Sequence, residues 1–457
     1  MRYTDFVLLA REPHIVKSEG KKRLSFSLLA PGIFNDPISC ELDARAVGDL
    51  KEKASGPDAD WNVARLLGEA LAAALLPQSV WNALNNRITQ ATAKNEGVRV
   101  RLMLSGGELN NWPWEFIIFN RAGGEPKVSD FLVLMPNVSL VRHTPTPLPA
   151  WRVEAKVPAR VLVAVASPSK WPKLKVADER TLIEKALEGK SRLKVDSVEH
   201  VRRCQLPDKT KPTHIFHFAG HGNFETVQSP VPGAYEGKAS IILEDEYGNE
   251  DSLDAELLAV QLRDAGVRVA VLGACLTAER DDVGAWSSVA EALLKAELAA
   301  VVGMQFPVVD KSALCFAERF YGALAVGLNI DEAVAAGRVA VAVSGDPRGW
   351  ATPVLYLRSP DGAVFTEFEA DQDLDDARLR KRNEGLRMFV RLNKGQLRNL
   401  RIGEISLRNS DERPVAKELV ETLEKIDSEI KIDINEKGAA ATNVEIGKIS
   451  VRGRKKG

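Results

Sequence analysis

From residue 160 onward, short apolar runs rich in Val, Ile and Ala alternate with amphipathic helical stretches. This alternation constrains the fold more than any other feature of the chain. Strands are predicted at Arg160–Ala166 (RVLVAVA), Arg192–Ser197, Thr213–Ala219, Val267–Gly273, Ala299–Met304 and Val354–Leu357, with Ser240–Leu243 as an edge strand. Helices are predicted at Ala177–Leu187, Ala255–Ala265, Ser287–Ala296, Lys311–Val326 and Ile330–Val343. Strands this uniformly apolar are buried on both faces, so the pattern calls for an α/β fold with a mostly parallel sheet flanked by helices. In such sheets the reactive groups lie beyond the carboxyl ends of the strands.

Two strand ends carry reactive side chains. One is His214-Ile215-Phe216-His217-Phe218-Ala219-Gly220-His221-Gly222. The other is Val269-Ala270-Val271-Leu272-Gly273-Ala274-Cys275-Leu276-Thr277-Ala278. A thiol is a good nucleophile only as thiolate, and a nearby imidazole makes that form accessible near neutral pH. Small neighbours leave both side chains uncrowded, and the glycines beside His221 allow backbone conformations that other residues resist. The backbone N–H groups of Gly222 and Cys275 are candidates for an oxyanion hole, worth a few kcal/mol per donor (~3). Taken singly, a cysteine closing an apolar strand is usually an inert small hydrophobe, and a histidine between glycines is usually structural. Their pairing at matching strand ends argues for catalysis. His214, His217 and His221 have the spacing of a one-faced metal site on a helix, but the segment is β-like and its neighbouring histidines point to opposite faces. No metal and no cofactor are expected. Phosphate-binding loops are also excluded, since Gly273-Ala274-Cys275 precedes no Lys-Ser/Thr pair and Ser105-Gly106-Gly107 lacks the full pattern.

At 457 residues the chain is long enough for more than one domain. Residues 1–150 read as an N-terminal α/β region, with strands at Asp5–Ala10, Arg23–Leu29, Ile38–Leu42, Val98–Leu104, Phe131–Met135 and Ser139–Arg142. Its helices fall at Trp61–Leu75, ended by Pro77, and at Val80–Ala93. The proline-rich Thr144–Val157 reads as a linker into a domain spanning 151–360. Residues 361–457 read as a linker and a small α+β accessory domain. There, Ile402-Gly403-Glu404-Ile405-Ser406-Leu407-Arg408 and Ile446-Gly447-Lys448-Ile449-Ser450-Val451-Arg452 are near-copies, with a helix (Pro414–Ile426) and a strand (Glu429–Ile434) between them. Two copies are too few to name a solenoid.

A net charge of −1 gives no overall field to draw nucleic acid, and none is expected to bind directly. The basic tail Arg452–Lys456 reads as a solvated terminus. No apolar run reaches the 18 residues that suggest a membrane span, and the N-terminus lacks the pattern of a signal peptide. Four scattered cysteines, Cys40, Cys204, Cys275 and Cys315, fit a reducing compartment. A cytoplasmic location is expected.

At the residues above the chain resembles the CHAT family of caspase-like peptidases related to separase. The resemblance covers roughly residues 60–358. It runs through Trp112-Pro113-Trp114-Glu115, Arg160–Ala166, His217–Gly222, Leu272–Ala278, Val301–Asp310, Phe320-Tyr321 and Trp350-Ala351. It implies a caspase-like mostly parallel sheet flanked by helices, with an N-terminal part packed beside the protease. It also implies a dyad of His221 as general base and Cys275 as nucleophile. Gly273 stands where the family often has Asn, a change expected to be mild. The stretch matching Met304–Asp310 borders the family's pocket for the residue before the scissile bond. That makes Met304, Phe306 and Asp310 pocket candidates, although Asp310 reads more readily as the N-cap of the following helix. Pro307 stands at the first of separase's two acidic pocket positions, which weakens the case for an Arg preference. The acidic Glu279, Asp281 and Asp282 read as a solvated loop. Related chains couple the protease to sensing modules in prokaryotic defence or cell death, so residues 370–457 are expected to meet a regulatory or recruiting partner.

The leading expectation is a cysteine endopeptidase acting on a specific protein substrate. The alternatives are a catalytically silent caspase-like interaction module and another thiol acyl transferase or hydrolase.

Overall fold

A computed structural model describes residues 2–18, 21–34, 36–56, 59–105, 107–121, 123–143, 158–172, 176–228, 235–273, 284–306, 310–359 and 362, and the backbone of short strands between 388 and 452. The expected linker Thr144–Val157, the helix Pro414–Ile426, the acidic loop around Asp281 and the basic tail beyond Arg452 lie outside the described residues.

The chain divides into two units, Met1–Phe368 and Glu369–Gly457. The first opens with β1 (Tyr3–Ser18), β2 (Lys21–Leu29) and β3 (Ile38–Asp43), followed by α1 (Ala44–Ser55), α2 (Trp61–Leu75) and α3 (Gln78–Ala93). Next come β4 (Gly97–Leu104), the single turn α4 (Gly107–Asn110), β5 (Val138–Arg142), β6 (Ala159–Val165), α5 (Val176–Leu187), β7 (Leu193–Val198), β8 (Ile215–Ala219), β9 (His221–Gln228), β10 (Tyr235–Glu244) and β11 (Glu250–Asp254). It closes with α6 (Ala255–Asp264), β12 (Val269–Gly273), α7 (Gly284–Lys295), β13 (Ala300–Met304), α8 (Asp310–Ala325), α9 (Ile330–Val343) and β14 (Pro353–Leu357).

One sheet of 11 strands runs β3-β2-β1-β4-β5-β14-β13-β12-β8-β6-β7. Strands β1, β4, β5 and β14 are parallel neighbours. So are β13, β12, β8, β6 and β7. The two groups meet antiparallel where β14 pairs with β13. Alternation along β8 shows why the sheet needs cover on both sides. Phe216 and Phe218 enter one core with Leu258 and Leu262 of α6 and Val289 and Leu293 of α7. Ile215 and Ala219 enter the other with Ile183 of α5 and Phe316 and Phe320 of α8. Side-chain caps fix several helix starts: Asp60 accepts from Val63 N–H, and Asp254 accepts from Glu256 and Leu257 N–H.

Most expected elements appear within a few residues of their predicted bounds. The apolar run Phe131–Met135 is not a strand. It folds as a 3₁₀ turn at Leu132–Leu134, in which Leu134 N–H donates to Phe131 C=O at 2.9 Å and Leu132 and Val133 are buried. A short apolar run does not by itself distinguish the two. Ser240–Leu243 lies within the longer β10, which belongs not to the main sheet but to a separate antiparallel sheet, β11-β10-β9. Helix α1 and strands β9 and β11 are not among the predicted elements.

In the second unit the described backbone is extended. Strands β15 (Met388–Leu392), β16 (Gln396–Arg398), β17 (Arg401–Ile402) and β18 (Ile405–Arg408) are followed by β19 (Ile430–Ile434), β20 (Ala440–Thr442), β21 (Glu445–Ile446) and β22 (Ile449–Arg452). The near-copies seen in the sequence lie side by side, with Ile405 opposite Ile449 and Arg408 opposite Arg452 in a parallel pair.

Candidate active site

The chain leaves β6 toward β7 at one edge of the parallel group, whereas β8 leads to β12 on the other side. Connections that depart in opposite directions open a crevice at the carboxyl ends of β6 and β8, where α/β sheets bind their ligands. The loop after β6, the break after β8 and the end of β12 converge there.

His221 lies at this crevice. Gly220 interrupts the chain between β8 and β9, and His221 opens β9 opposite Ile242 of β10. The glycine is needed for space rather than for an unusual backbone. Its φ is ordinary, and a Cβ there would lie 2.5 Å from the Phe218 ring and 3.2 Å from the Ala166 carbonyl. His221 is buried, with 1% of its surface exposed. Its Nε2 lies 3.0 Å from the Pro172 carbonyl. A carbonyl only accepts, so Nε2 carries the proton and Nδ1 keeps the lone pair. Burial pushes the imidazole below its ordinary pKa, and the bond to Pro172 partly offsets this. The Trp171 ring leans on the imidazole, centroids 4.9 Å apart. Gly222 follows in β9, opposite Ile241.

Cys275 lies outside the described residues, two positions beyond the end of β12. Gly273, the last residue of β12, pairs with Ala219, the last residue of β8. The two candidate residues thus each follow the end of one of two adjacent parallel strands by two positions.

Beneath this edge His217 and Tyr321, which the sequence offers separately, meet Glu179 in one buried cluster. His217 is 1% exposed. Its Nδ1 lies 2.9 Å from the Tyr321 hydroxyl, and its Nε2 faces Glu179 Oε1 at 3.2 Å without the alignment of a hydrogen bond. Burial and then the Glu179 charge push the Tyr321 phenol well above its ordinary pKa, so it keeps its proton for donation. A Cβ at position 273 would lie 3.0 Å from Glu179 Oε1 and 3.3 Å from His217 Nε2. A side chain at this position would need Glu179 and His217 to give way by a few tenths of an ångström.

The pocket candidates fall differently. Met304 ends β13 opposite Pro353, and Phe306 is wholly buried, its ring edge-on to Phe116 at 6.0 Å. Asp310 is the first residue of α8, and its side chain is outside the described residues. Between Met304 and Phe306, Gln305 donates to Glu115 Oε2 at 2.8 Å and to the Ala351 carbonyl at 2.8 Å. Glu115 also binds Arg142 through both oxygens, at 3.1 and 2.7 Å. The Trp-Pro-Trp-Glu segment thereby ties the N-terminal strands to the end of β13. Among the described residues no group of three or more His, Cys, Asp or Glu side chains is placed to hold a metal ion. No single helix there is long and apolar enough to cross a membrane.

The sheet and its crevice define a mostly parallel α/β protein with a histidine and a cysteine position at neighbouring strand ends. The CHAT domain matches residues 63–358, well over half the length, and the chain belongs to the CHAT family. No curated protein sequence matches it. Among solved structures it is similar to gingipain R, an Arg-specific cysteine proteinase, at 12% identity and a TM-score of 0.37, covering 71% of this chain and 76% of that one. The complex of the Porphyromonas gingivalis pro- and mature domains gives 11% identity and a TM-score of 0.38, covering 71% and 78%. Saccharomyces cerevisiae separase, in its complex with securin, gives 13% identity and a TM-score of 0.30. That match covers 57% of this chain but only 15% of the separase chain.

Proposed function

We propose that the protein is a cysteine endopeptidase with Cys275 as nucleophile and His221 as base. The reading rests on one observation: Gly273 pairs with Ala219, so residues 275 and 221 leave adjacent parallel strands at matching positions. The tautomer of His221 supports it. With Nε2–H held by Pro172, Nδ1 is the nitrogen free to take the thiol proton. The thiolate adds to the scissile carbonyl carbon, and the backbone N–H groups of Gly222 and Cys275 receive the oxyanion. The imidazolium returns its proton to the leaving amine as the C–N bond breaks. A water molecule, deprotonated by the same imidazole, then hydrolyses the thioester and frees the thiol. The substrate is a specific protein, in a prokaryotic defence or cell-death setting, and residues 370–457 meet a regulatory or recruiting partner. Membership of the CHAT family supports the peptidase reading.

The test is labelling of purified full chain by a panel of peptidyl acyloxymethyl ketones that differ in the residue before the warhead, followed by mass spectrometry. Labelling is expected at Cys275 in the wild type and is lost in His221→Ala. If Cys275 stays unlabelled across the panel and across candidate activators, the chain is instead a silent interaction module.

A further inference from the structure

One loop holds His221 from two sides, and that loop, which leaves the main sheet, is itself fastened to the small sheet on which His221 lies. Residues 166–172 leave β6 and pass the crevice. Pro172 gives its carbonyl to His221 Nε2 at 3.0 Å, and Trp171 lays its ring against the imidazole with the planes 35° apart. Three hydrogen bonds staple the loop to the hairpin of β10 and β11. Ser167 N–H donates to Glu244 Oε1 at 2.7 Å, Ser169 N–H to the Gly248 carbonyl at 3.0 Å, and Trp171 Nε1–H to Glu250 Oε2 at 2.7 Å. The hairpin turn is closed by Asp245, which accepts from the N–H groups of Tyr247 and Asn249. Glu244 is buried, and its second oxygen holds His200 Nδ1 at 2.9 Å.

The two contacts on the imidazole do different things. A hydrogen bond to Nε2 fixes one atom and leaves the ring able to rotate about the line through it. A flat neighbour fixes the plane. Both are needed to fix the direction in which Nδ1 points. We propose that Trp171 is a positioning residue for the base, locked in place by Glu250 on β11, and that the small sheet β11-β10-β9 thereby sets the aim of His221. The proposal rests on the reading of His221 as base.

The experiment alkylates the purified full chain with iodoacetamide at neutral pH and follows each cysteine by mass spectrometry. Exposed Cys204 is the reference thiol, and buried Cys40 reports loss of structure. Trp171→Leu is expected to slow Cys275 relative to Cys204 by about three- to tenfold, the size of a lost aromatic pair expressed as a rate. Trp171→Phe, which keeps a flat ring but loses the bond to Glu250, is expected to recover the rate only to that of Glu250→Ala. Glu250→Ala, at an exposed site, is expected to slow Cys275 in the same direction. General unfolding would act oppositely, speeding Cys40. If Trp171→Leu and Glu250→Ala leave the Cys275 rate unchanged while His221→Ala lowers it, the positioning role is wrong and the base stands. If His221→Ala also leaves it unchanged, the base assignment fails and the positioning role goes with it.

Discussion

Glu179 and Gly273 compete for one space: the carboxylate oxygen lies 3.0 Å from where a Cβ on residue 273 would sit. Glu179 is in the first turn of α5, and Gly273 closes the strand that leads to Cys275. The glycine therefore lets a helix on one face of the sheet reach the edge where the nucleophile is proposed to emerge. An asparagine at this position should push Glu179 away from His217 and move the strand end. Gly273→Asn is expected to destabilise the protein by about 1–3 kcal/mol, the usual cost of overpacking. Urea denaturation measures this. Combining it with Glu179→Ala should recover part of the loss, since the pair shares one volume. A strictly additive double variant would show that the two residues do not interfere.

Glu115 is an acidic residue whose loss should damage the fold severely. It and Arg142 are both nearly inaccessible, and Gln305 donates to the same carboxylate. Glu115→Ala would leave a buried guanidinium without its counter-charge, a change that costs about 3–5 kcal/mol. Thermal melts should show a drop far larger than that of an exposed acidic-residue variant. A shift no larger than that of a surface control such as Glu41→Ala would contradict the buried pairing.

The sheet was legible because strands covered on both faces, such as β6, β8, β12 and β13, read as unbroken Val, Ile and Ala runs. The break at Gly220 was legible too, though its cause was not. The sequence suggested conformational freedom, whereas the residue is small because a Phe218 ring and the Ala166 carbonyl leave no room. Trp171, Pro172 and Glu179 carry no motif of their own in the sequence, and Tyr321 figures there only as part of the family resemblance, because their contacts are distant in the chain. His217 and Tyr321 are 104 positions apart. One signal did point to Trp171 and Pro172, since they lie in the loop just after the strand at which the sheet order reverses. Phe306 illustrates the opposite error of scale: its neighbourhood is recognisable from sequence, but its ring faces Phe116 in the core.

The pH behaviour of His221 follows from its burial. Its folded pKa lies below the unfolded value of about 6.5. The unfolded chain therefore binds the proton more readily. The contribution of this group to stability is complete above the unfolded value and is lost as pH falls through it toward the folded one. Urea midpoints of the wild type should decline between pH 7 and pH 5 more steeply than those of His221→Asn. Parallel curves would mean that the imidazole is equally easy to protonate in both states.

Tyr321 gives the sharpest test of the cluster beneath the crevice. Its hydroxyl is fully buried and meets His217 Nδ1 at 2.9 Å, and burial and Glu179 both keep it protonated. Tyr321→Phe preserves the ring and its packing against Phe320 and removes only the oxygen. A buried ring nitrogen left without its partner costs about 1–3 kcal/mol. Replacing both partners with apolar groups removes the orphaned atom, so Tyr321→Phe combined with His217→Leu should lose less than the sum of the single changes. Denaturant unfolding of the four proteins in this cycle measures the coupling. A coupling near zero would mean that the hydroxyl and the imidazole contribute independently, and that His217 holds its place by packing alone.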